Sequence, residues 1–140
     1  MDKVRIGIIG LGNIGQVHVG NLMDGKVPRG KLTAVGDAMA DKLPDYEAKG
    51  LKTFDSGEAL IASGEIDALI IATPHFQHTT LGIAALEAGR HVFTESPMAL
   101  SVADADTMIQ RSQGNDLVLR VGHSSVLRSV NTVMKREAET

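Results

Sequence analysis

The chain has 140 residues, 43% of them hydrophobic, which suits one folded domain built around one core. Its net charge is −3, and Lys and Arg are scattered except for a short basic cluster at Arg128 to Arg136, so no nucleic-acid partner is expected. It contains no cysteine, which excludes disulfide and thiolate chemistry, and no apolar run near the ~20 residues that a membrane span needs.

The first element follows at once. "VRIGIIG" at 4–10 is a continuous apolar run of strand length closed by glycine, so no signal peptide is expected and a cytoplasmic location is. "NIGQVHVGNLMD" at 13–24 is helix-like, and "DGKVPRGK" at 24–31 reads as a surface loop. A second strand at 32–37 leads to a short helix-like stretch at 41–50, interrupted by Pro44. Then come a weak strand at 51–54, a short helix at 57–64 and a buried strand at 67–73. The helix at 76–89 places Leu81, Ala84, Ala85 and Ala88 on one face and ends at Gly89. A strand at 91–95 precedes a helix from Ser101 to Gly114, whose Ser-x-x-Asp start is close to a capping box, and a last strand is predicted at 117–123. Strands that are apolar at nearly every position and alternate with helices predict an α/β fold. The expected sheet is doubly wound, mostly parallel, and covered on both faces to make three layers.

Gly10-Leu11-Gly12-Asn13-Ile14-Gly15 is a G-x-G-x-x-G pattern that directly follows a strand and opens a helix, the context that gives the pattern meaning. Gly10 allows the tight turn, Gly12 lets backbone approach a pyrophosphate, and Gly15 lets the helix pack closely on the strand. The free N–H groups of the helix start would bind the phosphates without a basic side chain. Asp37 ends the second strand, 22 positions after Gly15 (37 − 15). A carboxylate there can accept from both hydroxyls of an adenosine ribose and would repel a 2′-phosphate, and no arginine follows in Ala38-Met39-Ala40. The expected cofactor is therefore NAD. The plainer alternative is a glycine turn made for packing, with Asp37 a solvated strand end.

These elements resemble the N-terminal domain of the glucose–fructose oxidoreductase/inositol dehydrogenase/rhizopine-catabolism (Gfo/Idh/MocA) family. The resemblance rests on "GIIGLGNIGQVHVGNL", on "IDALIIATPHFQHTTLGIAALEAGRHVFTESPMALSVADAD" and on "LVLRVGH". It implies that Gly10, Gly12, Asn13, Ile14 and Gly15 hold the pyrophosphate and Asp37 the adenosine ribose. Thr73, Pro74 and His75 would line the nucleotide cleft, although the family often has Asn at the position of His75. His78 would lie near the nicotinamide ribose and phosphates. Glu95 and Pro97 match the outer residues of a Glu-Lys-Pro signature, in which the peptide before the proline is commonly cis. Gly122 and His123 match the turn after the last strand. His75 and His78 stand at i, i+3, but no third or fourth ligand has the spacing of a zinc site, so no metal is expected. His18 and His91 are given no role.

In that signature the middle residue is a lysine with a catalytic role, and here it is Ser96. A serine has no ammonium to donate three hydrogen bonds or to be tuned in pKa, and its side chain is shorter. The resemblance also implies a second α/β domain that completes the substrate site and carries the acid/base residues. Residues 1–124 read as the dinucleotide-binding domain and 125–140 as a helix that starts the crossover to that second domain. Three functions compete. One is the nucleotide-binding part of an oxidoreductase acting on a sugar, polyol or related CH–OH substrate, inactive as this chain. Another is a redox-inactive module that binds NAD(H). The third is an interaction protein whose glycine loop only packs. A missing C-terminal domain and a second copy of the chain are the candidate partners.

Overall fold

The computed structural model describes residues 2–122; His123 and the expected C-terminal helix lie outside them. Strand β1 (Val4–Ile9) is the middle of the sheet because its side chains are apolar on both faces. Ile8 and Ile9 are adjacent and both buried, and they feed different cores on opposite sides. After β1 the chain makes α1 (Asn13–Met23), β2 (Gly30–Gly36), a short 3₁₀ turn at Ala40–Lys42 and α2 (Pro44–Glu47). It continues through β3 (Lys52–Phe54), α3 (Gly57–Ala62), β4 (Ala68–Ile71) and a second 3₁₀ turn at His75–Gln77 into α4 (His78–Glu87). Strand β5 (His91–Glu95), α5 (Val102–Gly114) and β6 (Leu119–Gly122) complete it.

All five strand pairings are parallel, in the order β3-β2-β1-β4-β5-β6. The expected doubly wound α/β fold is the one observed. On one face Ile9, Leu60, Leu69, Ile71, Leu81, Leu86 and Met108 form the larger core, built from β strands with α3, α4 and α5. On the other face Ile8, Leu11, Val19, Leu22, Leu32 and Val35 pack beneath α1. Each fully buried Leu or Ile contributes about 1.5–3 kcal/mol relative to exposure, so these two cores dominate the stability.

Local details depart from the sequence expectations for physical reasons. Strand β2 begins at Gly30, inside the predicted loop, because Val4 at the start of β1 already offers it a partner. The β1–β2 register shifts between Ile6 and Gly7: Leu32 lies opposite Ile6 and Ala34 opposite Gly7, leaving Thr33 as an extra residue. Thr33 uses its hydroxyl on the Glu65 carbonyl at 2.9 Å. That shift lets Leu32 and Val35 serve the same core, which strict alternation would forbid. Pro44 opens α2 instead of interrupting a helix, since the first turn needs no N–H from it. In α4 the buried set is His78, Leu81, Gly82, Ala85 and Leu86, whereas Ala88, placed on the buried face by its spacing, is exposed. The helix ends at Glu87, so Ala88 no longer follows its stripe. The cap expected at Ser101 is present, its hydroxyl accepting from the Asp104 amide at 3.1 Å.

Candidate functional site

The strand order reverses between β1 and β4, since β1 leads outward to β2 and the chain returns to the far side at β4. In an open parallel sheet that reversal opens a crevice at the carboxyl ends of the strands. The glycine turn after β1 and Thr73-Pro74 after β4 face each other there, across a cleft of about 860 Å³. The size lies within the range of small-molecule pockets.

Gly10 adopts φ +94°, and a side chain there would run into the Ala72 backbone. The turn is held down by Gly10 N–H donating to the Gly36 carbonyl at 2.9 Å. Gly15 faces the Gly10 carbonyl at a separation that leaves no room for a Cβ, and this lets α1 start tight against β1. Gly12 is the N-cap of α1; it makes no side-chain cap, and the space in front of it is open. No acidic residue stands in the first turn of α1, so its end N–H groups and positive dipole face the cleft unopposed. Asn13 and Ile14 line the cleft beside it.

Asp37, 9% exposed, sits directly against that turn. Its Oδ2 accepts from the Leu11 amide at 2.7 Å and its Oδ1 from the Met39 amide at 2.8 Å, and Lys42 Nζ lies 3.5 Å from Oδ2. Burial would push this carboxyl up, but the Met39 and Leu11 amides and the Lys42 ammonium outweigh it and hold it below the usual carboxylate range. The group is therefore an anion with lone pairs left over for further donors. Thr73 lies on the opposite wall, and its hydroxyl is buried with no hydrogen-bond partner among the described residues. A buried orphan of that kind is rare and fits a ligand that accepts from or donates to it. Open backbone amides, an ionised carboxylate and an orphaned hydroxyl suit a dinucleotide.

The other end of the crevice is arranged differently. The Ser96-Pro97 peptide is cis, as expected, and Ser96 is exposed. Glu95 Oε1 lies 2.5 Å from His18 Nε2, and the His18 ring stands edge-on to Phe93 with centroids 5.6 Å apart. His78 is fully buried, with Nδ1 2.7 Å from the Pro97 carbonyl and Nε2 2.9 Å from the Thr73 carbonyl. It ties the loop after β4 to the loop after β5 and lies beneath the cleft instead of lining it. His75 is exposed on its 3₁₀ turn, edge-on to His78.

The structure thus brings Gly10, Gly12, Asn13, Ile14, Asp37, Thr73 and Pro74 together in one cleft. Gly15 supports them from below, while His78 is bonded to the carbonyls of Pro97 and Thr73 and Glu95 is paired separately with His18, at the ends of β4 and β5. Sequence reasoning missed Met39, Lys42 and Phe76, which also line the cleft. Met39 is 55% and Phe76 68% exposed, and two large apolar side chains just past β2 and β4 are a signal that could have found them. It also gave His18 no role, and nothing local to His18 announces a partner 77 residues away.

Fold and cleft together define a dinucleotide-binding domain. The family model "Oxidoreductase family, NAD-binding Rossmann fold" matches residues 4–123, and the chain belongs to that Gfo/Idh/MocA family. It is 36% identical over 121 residues to the myo-inositol 2-dehydrogenase of Thermotoga maritima, a match covering 85% of this chain and 36% of that protein. It is 33% identical over 124 residues to the UDP-N-acetylglucosamine 3-dehydrogenase of Acidithiobacillus ferrooxidans, covering 88% and 38%. Among solved structures, the WlbA dehydrogenase of Bordetella pertussis in complex with NADH and UDP-GlcNAcA superposes with a TM-score of 0.88 at 30% identity, over 98% of this chain and 42% of that one. The scyllo-inositol dehydrogenase of Lactobacillus casei with bound NAD(H) and scyllo-inositol gives 0.87 at 27%, over 99% and 41%. The chain spans a little over a third of the length of its curated relatives. Its cofactor is NAD, and among the described residues no helix is long and apolar enough to cross a membrane.

Proposed function

We propose that these 140 residues are the cofactor-holding part of an oxidoreductase that removes hydride from a CH–OH group of a polyol, sugar or sugar nucleotide. The observation that carries the reading is the Asp37 carboxylate, held below the usual carboxylate range and hydrogen-bonded to Leu11 beside the open helix start at Gly12, in one cleft. The α1 amides hold the pyrophosphate, Asp37 accepts from the adenosine ribose hydroxyls, and the Thr73 hydroxyl donates to or accepts from the bound nucleotide. Bound there, a nicotinamide dinucleotide supplies the hydride acceptor or donor. The substrate class is supported by the inositol and nucleotide-sugar dehydrogenases among the relatives. His75, Glu95 and Pro97 belong to the nicotinamide end of this reading, with His78 fixing the two loops that carry them. A second α/β domain or a second copy of the chain would complete the substrate walls. The setting is the cytoplasm, where such cofactors are held in solution.

Ser96 favours a second reading, a redox-inactive module that binds NAD(H) without turning anything over. Its hydroxyl cannot supply an ammonium's charge, and its two neighbours are already engaged, Glu95 with His18 and the Pro97 carbonyl with His78. Both readings require binding. Calorimetric titration of the 140-residue chain with NAD+ and NADH is expected to show one site, and a folded chain that binds neither would overturn both. The two are then separated by supplying candidate polyols to a chain that includes a second domain: turnover selects the first, its absence the second.

A further inference from the structure

His18 joins α1 to the end of β5, and neither reading gives it a task. Its Nε2 lies 2.5 Å from Glu95 Oε1, and the two side chains are only 19% and 20% exposed. Phe93 backs the imidazole edge-on. Gly122, opposite Glu95 in the β5–β6 register, leaves room for the carboxylate, because a Cβ there would come 3.0 Å from Oε2. Both partners are close to the cleft along the chain. Ile14, one helical turn before His18 on α1, lines it, and Glu95 leads directly into Ser96-Pro97.

The surrounding charges leave this pair largely to itself. Helix α1 carries no acid or base besides His18, and Ser96 to Leu100 are uncharged. On β6 the charge is Arg120, opposite Phe93 on the exposed edge of the sheet. After β4 come His75, which is exposed, and His78, which is engaged with the carbonyls of Thr73 and Pro97. Asp37, Lys42, Asp55 and Glu58 line the cleft, and none of them pairs with His18 or Glu95.

Histidine is the side chain whose charge changes in the range between neutral and mildly acid pH. With His18 neutral, the pair carries the single negative charge of Glu95. With His18 protonated, the pair carries no net charge. A nicotinamide ring is cationic in NAD+ and uncharged in NADH, so the two forms of one cofactor differ in their response to that change. Charges withdrawn from solvent are screened less than surface charges, and their field reaches across part of a binding site. We propose that His18, acting through Glu95, is a positioning residue that sets the balance between oxidised and reduced cofactor and makes it depend on pH. The unprotonated pair favours NAD+, and protonation removes that advantage. By linkage, NAD+ binding then opposes protonation of His18, whereas NADH binding does not. This inference rests on the dinucleotide reading and on Glu95 standing at its nicotinamide end.

The test is calorimetric titration of the 140-residue chain with NAD+ and with NADH from about pH 6 to about pH 8.5, a window that spans histidine titration. The parent, His18→Asn and Glu95→Gln are compared, each checked for its fold by circular dichroism. In the parent the ratio of NAD+ to NADH affinity should fall by about three- to tenfold from the top of that window to the bottom, the order of one partly screened unit charge. His18→Asn should hold the ratio near the parent's high-pH value throughout, because Glu95 then has no titrating partner. Glu95→Gln should show the parent's low-pH ratio even at the top of the window. A parent that binds both nucleotides with a constant ratio, or with one that moves the other way, would overturn the proposal and spare the dinucleotide reading. So would a His18→Asn variant that keeps the parent's pH dependence, or a Glu95→Gln variant that keeps its high-pH ratio. Should His18→Asn fail to fold, His18→Gln and the Glu95→Gln ratio decide the matter in the same way. A folded parent that binds neither nucleotide removes the dinucleotide reading and this proposal together.

Discussion

At the glycine-turn end of the cleft, polar groups keep bonding capacity to spare: the amides at the start of α1 face open space, Asp37 has lone pairs left over, and the buried Thr73 hydroxyl has no partner among the described residues. At the signature-loop end, polar groups are turned toward one another. Glu95 is against His18, and His78 spans the carbonyls of Thr73 and Pro97. The first arrangement stores unmet hydrogen-bonding capacity for a ligand, and the second uses that capacity to fix two loops. On the proposed reading, nucleotide binding and hydride chemistry would rest on separate groups of residues. One group can be complete while the other has an exposed serine in place of a lysine.

The largest effect is expected at Gly10. Its φ of +94° and the nearness of the Ala72 backbone leave no place for a branched side chain. Gly10→Val should cost about 3 kcal/mol or more in urea unfolding and abolish NAD+ binding in whatever fraction folds. His78 comes next. Replacing it by Leu removes the ring's contacts with the Thr73 and Pro97 carbonyls, to one of which a neutral ring donates, and about 1–2 kcal/mol should be lost. NAD+ affinity should fall less than stability does, because His78 touches the loops and lies below the cleft. An affinity loss far beyond the stability loss would move His78 into the binding group and erase the contrast.

Asp37 should give a smaller effect with a distinct signature. Asp37→Ser is expected to shift the NAD+ to NADP+ affinity ratio toward NADP+ by about tenfold, the order of one charge-assisted contact. The same carboxyl bears on stability against pH. It is held below its unfolded value, so its contribution is fully present above the unfolded carboxylate range. That contribution is lost as pH falls through the lower, folded value. Asp37→Asn should therefore flatten the acid limb of a thermal-stability profile, and an unchanged limb would mean that Asp37 carries no linkage of this kind.

What could be read from the sequence was whatever is written locally. Runs apolar at nearly every position marked β1, β2, β4 and β5, and Ser101 three residues before Asp104 marked the start of α5. Gly10 through Gly15 and Asp37 were legible because strand, turn, helix and acid come at fixed offsets along the chain. Several of the misses are decided by pairing between distant segments. Thr33 is an extra residue only because β1 sits beside β2 in a shifted register. His18 meets Glu95, and His78 meets Pro97, across loops whose closeness is a property of the sheet order. His78 at a helix start looked like a ligand contact, yet full burial makes it a fastener. Lys42 was passed over because it stands five positions after Asp37, and only the 3₁₀ turn brings the two together.

The smallest effect is expected where the departure from the family signature is most visible. Ser96→Lys restores the ammonium that the resemblance associates with catalysis, at an exposed position where the longer side chain meets no crowding. Hydride transfer needs substrate and cofactor held together in a site closed to water, and a single cation at the rim of an open cleft provides neither wall nor positioned proton carrier. The variant of this 140-residue chain should bind NAD+ within about twofold of the parent, as an exposed charge contributes little to a ligand it does not directly pair with. It should produce no measurable NADH from inositol or a hexose, followed by absorbance. NADH production by the variant alone would show that the signature loop and the cleft form one working site in these residues. The two ends would then differ by a single side chain instead of by a whole group of interactions.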